Sequence, residues 1–447
     1  MRNKLTEGKI LPSLLGFAAP VFLTMLLQFL YGSIDMFIVS KFADTAEVSG
    51  VATGSIIIAT LTNAIVGLST GISVLVARRT GENSPEEAGR AIGSGIIVFS
   101  VIGLFLTVIL PVFAGPVASL MDAPREAFGQ TVSYIRICGV GSIFIVAYNV
   151  IGGILRGLGD SKTPLVTVAI AAVINVIGDL ILVAGCDMGS AGAATATVFA
   201  QVVSVVISLF AIIKKGLPVK LDKSYLRFSG DSILAQLKLG VPVCVQNLLS
   251  SFSFVIIQVL INKLGVAASA AAGIGDKVGG ILLLFPAAYL QAMSTFAAQN
   301  LGANKPERAK RGLIYGIATA VGFGMVTAFI SFMHGDAIGR LFSSDPEVIL
   351  NTHAYIAAAY GPDCLLTAVL FCFVGYFNGC GKTVFSLFQG LFGAFAVRIP
   401  YAFFASSLKN TNIFLIGLSA PVSSVIQILL CIGAFIYFSK KKHFSSI

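Results

Sequence analysis

Long apolar blocks separated by short polar ones run the length of this chain. About twelve such blocks, each roughly 20–30 residues, follow one another, the length a tilted helix needs to cross a bilayer. The first six are expected at about 11–42, 49–77, a third ending near Leu120, 127–155, 164–185 and 189–213. A membrane β-barrel would show ~10-residue segments of alternating polarity instead. Residues 214–238 form a long polar interlude, with Lys214, Lys215, Lys220, Lys223, Arg227 and Lys238 around Pro218 and Gly230. This stretch reads as a cytoplasmic linker ending in an interfacial amphipathic helix. The pattern predicts an all-α integral membrane protein of twelve transmembrane helices, with a first lobe at 1–213 and a second at 239–447.

The second lobe repeats the first. The segment from Ala77 to Arg90 aligns without gaps on Ala298 to Arg311, and half of the positions are identical. Pro20 falls on Pro242, Leu26-Leu27 on Leu248-Leu249, and Arg156-Gly157-Leu158-Gly159 on Asn378-Gly379-Cys380-Gly381. A repeat this long signals duplication. Six spans per copy make both copies enter from the same side, the parallel-repeat arrangement that permits rocking about a central cleft.

Polar residues inside the apolar blocks carry the candidate chemistry. Asn175 and Asp179 are four apart, so on a helix they project from one face. An unpaired charge at membrane depth costs at least ~2.5–3.5 kcal/mol, so such an acid is expected to face a protein-lined cavity with a cation or proton to balance it. In the first span Pro20 supplies a bending point, Gln28 and Tyr31 follow, and Asp35 lies near the far end. The repeat fails at these acids: Asp35 falls on Ile257 and the Asp179 region near Arg398. Chemistry is therefore expected in one copy, on spans one, four, five and six. Asp276 and Lys277 are expected to pair within the second lobe, and Arg136 and Arg398 to form structural pairs or to snorkel.

Composition agrees with the pattern. Of 447 residues, 56% are hydrophobic and 11% charged, against roughly 25% charged in soluble domains. The net charge of +10 does not indicate nucleic-acid binding, because most Lys and Arg cluster in the N-terminus, alternate loops and the C-terminus. That asymmetry puts both termini in the cytoplasm. Arg2, Lys4 and Lys9 ahead of an apolar run resemble a signal peptide, but the run continues past Pro20 to Leu30 and reads as a retained first helix. Seven scattered cysteines and three histidines suggest neither a disulfide frame nor a metal-ligand pattern.

With these residues in view, the chain resembles the multidrug and toxic compound extrusion (MATE) family over nearly its whole length. The likeness rests on Ala19-Pro20 with Asp35, the Arg156–Pro164 turn, the Asn175–Asp179 pair, and Gln299-Asn300-Leu301-Gly302-Ala303. It is most similar to the DinF-type branch, whose acids lie in the N-terminal lobe. The resemblance implies a V-shaped pair of six-helix bundles in the cytoplasmic membrane, exporting amphipathic, often cationic compounds against Na⁺ or H⁺. It further implies a cation site at Asp35, Asn175, Asp179 and Thr197, a substrate pocket at Gln28, Tyr31, Tyr134 and Asn149, and a bend at Pro20. A coupling ion would be the only cofactor, and a monomer with no nucleic-acid partner is expected.

Na⁺ prefers hard oxygen ligands, which carboxylate, amide and hydroxyl groups supply, whereas a proton needs one carboxylate. A flippase for a lipid-linked or polyanionic substrate is the alternative within the fold, and it calls for a basic cavity. An intramembrane enzyme is disfavoured: no HExxH and no histidine beside a candidate nucleophile occurs within a span.

Overall fold

The computed structural model describes residues 5–216, 219, 225 and 229–440, all helical apart from turns. The first half holds α1 (Ile10–Phe42), α2 (Thr45–Gly81), α3 (Pro85–Leu120), α4 (Phe128–Val140), α5 (Ser142–Gly157), α6 (Lys162–Asp179) and α7 (Gly189–Lys215). The second holds α8 (Gly230–Asn262), α9 (Val266–Leu282), α10 (Leu284–Gly302), α11 (Pro306–Met333), α12 (Gly335–Phe342), α13 (Pro346–Tyr355), α14 (Gly361–Gly379), α15 (Thr383–Leu391), α16 (Ile399–Ser406), α17 (Ile413–Gly417) and α18 (Ser419–Lys440). Three widened π-helical segments, Leu180–Gly185, Ile356–Tyr360 and Phe392–Arg398, interrupt the spans.

Among the described residues, eleven helices are long and apolar enough to cross a membrane, and the bent pair α4–α5 makes a twelfth. The expected fourth span is thus broken, turning by 53° at Gly141. A Cβ there would lie 2.5 Å from Val198 on α7, so glycine is what lets the bend press against its neighbour.

The sequence sets the helix ends. Asp44 accepts from the Glu47 N–H and Asp345 from the Glu347 N–H, the N-cap arrangement that satisfies donors a helix start leaves free. Proline at the first position opens α3 and α11. Asp160 accepts from the N–H groups of Lys162 and Thr163 and from the Thr163 hydroxyl, fixing the start of α6.

Backbone conformation repeats where the sequence does. Asn83 and Asn304 both adopt the left-handed region, with φ of 55° and 56°, and Gly159 and Gly381 do so with φ of 87° and 74°. Non-glycine residues rarely enter that region, and asparagine is among the few that tolerate it.

The described residues form two compact units, 23–244 and 5–22 with 245–440. Against the expected lobes at 1–213 and 239–447, two short segments change sides. The part of α1 ahead of Leu23 belongs with the second half: Phe22 packs edge-on against Phe285, and Phe285 stacks on Phe323 at 3.7 Å. The opening turns of α8 belong with the first, because Gly67, Gly71 and Gly240 let α8 and α2 approach backbone to backbone. Both divisions fall two to three residues beyond a proline, Pro20 or Pro242. Lys220, Lys223 and Arg227 of the expected linker lie outside the described residues, and its final stretch from Gly230 is already α8.

Candidate cation and substrate site

Within the first unit, the two expected acids come together. Asp35 on α1 is 7% exposed, while Asp179 and Asn175 on α6 are 0% exposed, and the two carboxyl groups interact directly. Close packing makes this possible. A Cβ on Gly178 would sit 3.0 Å from Ala196, so α6 and α7 approach closely enough for Asn175 Nδ2 to donate to Thr197 Oγ1 at 3.5 Å. Tyr134 on α4 lies flat against Gly54 of α2, where a Cβ would fall 2.6 Å from the ring. The phenol joins the electrostatic neighbourhood of both acids and of Tyr31. Ile38, Val39, Val51, Ile58 and Val183 build the apolar wall around it.

The cluster is rich in acceptors and poor in donors. Asp35 Oδ1, both Asp179 oxygens, Asn175 Oδ1 and Gln201 Oε1 are buried with no hydrogen-bond partner. None of the ion pairs among the described residues involves either acid. Buried carboxylates are ordinarily paired or hydrogen-bonded, so this arrangement is suited to a small hard cation or a shared proton. No group of three His, Cys, Asp or Glu side chains among the described residues is placed to hold a metal ion; the oxygens here are mixed carboxylate, amide and hydroxyl. Directly after Asp179 the helix widens into its π segment, a feature frequent at functional positions.

A narrow crevice of about 10 Å³, room for about one water molecule, is lined by Tyr31, Tyr148, Val168, Ala171, Thr197, Ala200 and Gln201. Of the expected pocket residues, Tyr31 lines it, and Gln28 donates to the Tyr148 hydroxyl at 2.7 Å. Tyr134 belongs to the acid cluster rather than to this crevice. Asn149 is turned inward and donates to its own helix at Ile145 O, 2.8 Å away. Its neighbour Tyr148 takes the place lining the crevice instead. Gln201, four residues beyond Thr197 on α7, also lines the crevice; that spacing places both on one helix face and was the available signal.

The second unit holds buried or partnered ionisable groups of its own. Asp276 on α9 accepts from the hydroxyls of Tyr355 (3.1 Å) and Tyr360 (2.8 Å), the pairing within the second half foreseen for it. Asp363, at the start of α14 and 7% exposed, accepts from Ser424 and feels the charge of Arg398. Arg398 is itself buried, donates to Ser253 Oγ at 3.2 Å and sits 4.5 Å above the Phe254 ring. Lys277 is exposed and enters no ion pair among the described residues.

Comparison with known proteins agrees with this architecture. The MatE family model matches residues 20–181 and again 242–404, one match per copy of the repeat. The chain is 24% identical over 458 residues to "Probable multidrug resistance protein YoeA" of Bacillus subtilis (strain 168), covering 100% of this chain and 97% of that protein. It is 25% identical over 378 residues to a "FAD transporter" of Shewanella oneidensis, covering 82% and 81%. Among solved structures it superposes on "Outward-facing conformation of a multidrug resistance MATE family transporter of the MOP superfamily" with a TM-score of 0.91 at 20% identity, covering 98% of each chain. The chain belongs to the MatE family: it is a multi-pass membrane transporter, not an enzyme.

Proposed function

We propose that this transporter is an antiporter exporting small amphipathic, cationic organic compounds across the cytoplasmic membrane by alternating access, driven by Na⁺ or H⁺ taken up at Asp35 and Asp179. The observation that carries the reading is the donor-free acid pair: two interacting carboxyls with three orphaned oxygens and no basic partner among the described residues. One cation or proton relieves that imbalance, and its departure restores it. Asn175 and Thr197 complete the oxygen set, while Tyr31, Gln28 and Tyr148 border the crevice. One charge moving through ~100 mV supplies ~2.3 kcal/mol, enough for ~50-fold accumulation. The distribution of Lys and Arg favours cytoplasmic termini, and two complete copies of the repeat in one chain favour a monomer.

The test is efflux from proteoliposomes under an imposed Na⁺ or pH gradient, comparing wild type with Asp179→Asn. Gradient-driven export of an organic cation that collapses in the variant supports the proposal; equal export by both sinks it. A relative named as a FAD transporter makes an anionic flavin the informative second substrate, and flavin export without cation export would favour the alternative, a carrier or flippase for anionic substrates.

A further inference from the structure

The fourth span carries an arginine that nothing in the first unit answers. Arg136 is exposed on α4 and enters no hydrogen bond or ion pair among the described residues. An ionisable side chain inside a span ordinarily pairs or faces a protected interior. Helix rotation explains where this one points. α4 lays Gln130 on Gly50 and Tyr134 on Gly54, both of α2, and presses Gly139 on Leu110 and Pro111 of α3, while Gly141 at its end meets Val198 of α7. At 3.6 residues per turn, Arg136 stands about 200° around the helix from Tyr134, on the arc that these three neighbours leave open.

Along that arc runs an open groove of about 420 Å³, lined by Phe128, Gly129, Val132, Ser133, Arg136 and Ile137. That is more than ten times the ~30 Å³ share of one water. Gly129 leaves it unobstructed, since a Cβ there would meet nothing within 4 Å. Of the lining side chains only Ser133 and Arg136 are polar, and exposed Val140 continues the apolar wall one turn further into the span. Arg125 and Glu126, exposed on the turn ahead of α4, offset each other and leave Arg136 as the net charge of this face.

Depth selects the ligand. The span runs from Phe128 to Gly157, about 45 Å of helix against ~30 Å of hydrocarbon, so about 7 Å extends beyond it at each end. Arg136 lies about 12 Å along the axis from Phe128, hence about 5 Å inside the hydrocarbon edge. Helical side chains lean toward the N-terminus, so its guanidinium snorkels back to the level of the headgroup phosphates.

We propose that this groove holds an anionic glycerophospholipid of the nearer leaflet. Its phosphate pairs with the Arg136 guanidinium, whose planar fork matches two phosphate oxygens, and Ser133 Oγ donates to the same headgroup. An acyl chain runs along Val132, Ile137 and Val140. The site faces away from Tyr134 on the same helix, so it is separate from the acid pair and does not depend on the coupling ion.

The test uses purified full-length protein in detergent micelles containing phosphatidylglycerol or phosphatidylcholine, read by melting temperature and by bound lipid in native mass spectrometry. Phosphatidylglycerol should raise the wild-type melting temperature about 2–4 °C above phosphatidylcholine and stay bound as an adduct. Arg136→Gln should lose both the difference and the adduct, and Arg136→Lys should keep part of each. Lys277→Gln, which removes an exposed cation of the second unit, should keep them in full. Gly129→Leu fills the groove without touching the charge and should lose them too; it carries the test alone if Arg136→Gln does not fold. Equal melting in the two lipids, a difference that survives Arg136→Gln or Gly129→Leu, or one lost as fully in Lys277→Gln overturns the proposal. So does inorganic phosphate reproducing the shift, since the groove would then take a free anion and not a lipid.

Discussion

The carboxyl groups of Asp35 and Asp179 meet in the core of the first unit, and neither Asp35 Oδ1 nor either oxygen of Asp179 receives a hydrogen bond. Two like charges in contact, away from water, repel unless a proton or cation lies between them. The pair therefore acts as one device, and its members are expected to be non-additive. Asp35→Asn and Asp179→Asn should each lower gradient-driven efflux at least ~10-fold, and the double variant should be no worse than the more damaged single. Independent multiplication of the two losses would show that the acids serve separate sites.

The same geometry separates stability from transport. A carboxamide has the shape of the carboxyl without its charge and brings a donor to a donor-poor cluster. Asp179→Asn is expected to melt at or above the wild-type temperature, by up to about 1–2 kcal/mol in stability, while failing to transport. A variant that loses transport because it unfolds would refute this, and thermal melts of the detergent-solubilised protein distinguish the two.

Tyr134 is held by the absence of a side chain opposite it. Gly54→Ala would place a Cβ 2.6 Å from the ring, forcing the phenol to shift at a cost of about 1–3 kcal/mol. Gly115 meets nothing within 4 Å, so Gly115→Ala is the control and should be neutral. Melting temperature and efflux rate measured on both variants check this; equal effects would mean that the Tyr134 position is not specified by Gly54.

Much of this arrangement can be read from the chain alone, and its failures have physical causes. The repeat was visible because Asn83 and Asn304, or Gly159 and Gly381, occupy turns whose left-handed backbone constrains residue type. Asp35 and Asp179 stood out because a charge in an apolar block demands an explanation. Tyr148 did not, since a tyrosine is unremarkable in a membrane helix, and the choice between it and Asn149 depends on helix rotation, which neighbours set. Asp363 was missed because it opens its helix beside Gly361 and Pro362, where an acid reads as an interfacial cap. The bend at Gly141 and the exchange of segments at Leu23 and Cys244 arise from close packing between distant helices, which no local pattern records.

Adjacent residues on α5 give a sharper test of the crevice. Tyr148 lines it and accepts from Gln28 at 2.7 Å, whereas Asn149 spends its amide on Ile145 O. Tyr148→Phe should raise the KM for substrate several-fold, while the dependence on the driving gradient stays that of wild type. Asn149→Ala, losing a bond within its own helix, should cost about 1 kcal/mol of stability and leave KM unchanged. The reverse pattern would put the substrate on the Asn149 face.

At the other unit, residues 5–8 are tied down by the repeat motif. Arg308 donates through Nη1 to Gly8 O at 2.7 Å and through Nη2 to Glu7 O at 2.8 Å, Lys305 donates to Thr6 O at 3.0 Å, and Asn300 Nδ2 reaches Leu5 O at 3.2 Å. Asn300 lies in the last turn of α10, Lys305 caps α11 and Arg308 sits in its first turn, so residues 5–8 are fastened to the unit that also holds α1 up to Phe22. The carbonyls precede the first helix, and this fork of side-chain donors pairs them. Arg308→Ala removes two short charge-assisted bonds, each worth about 1.5–3 kcal/mol in favourable settings and less where water competes. The expected result is local: amide exchange at residues 5–9 should quicken at least ~10-fold while exchange in α11 beyond its first turn stays unchanged. Arg308→Lys, which keeps the charge but loses the planar fork, should fall between. Were exchange at the N-terminus unaffected by Arg308→Ala, Lys305 and Asn300 alone would suffice to hold it, and the motif's arginine would have no role in fastening the chain.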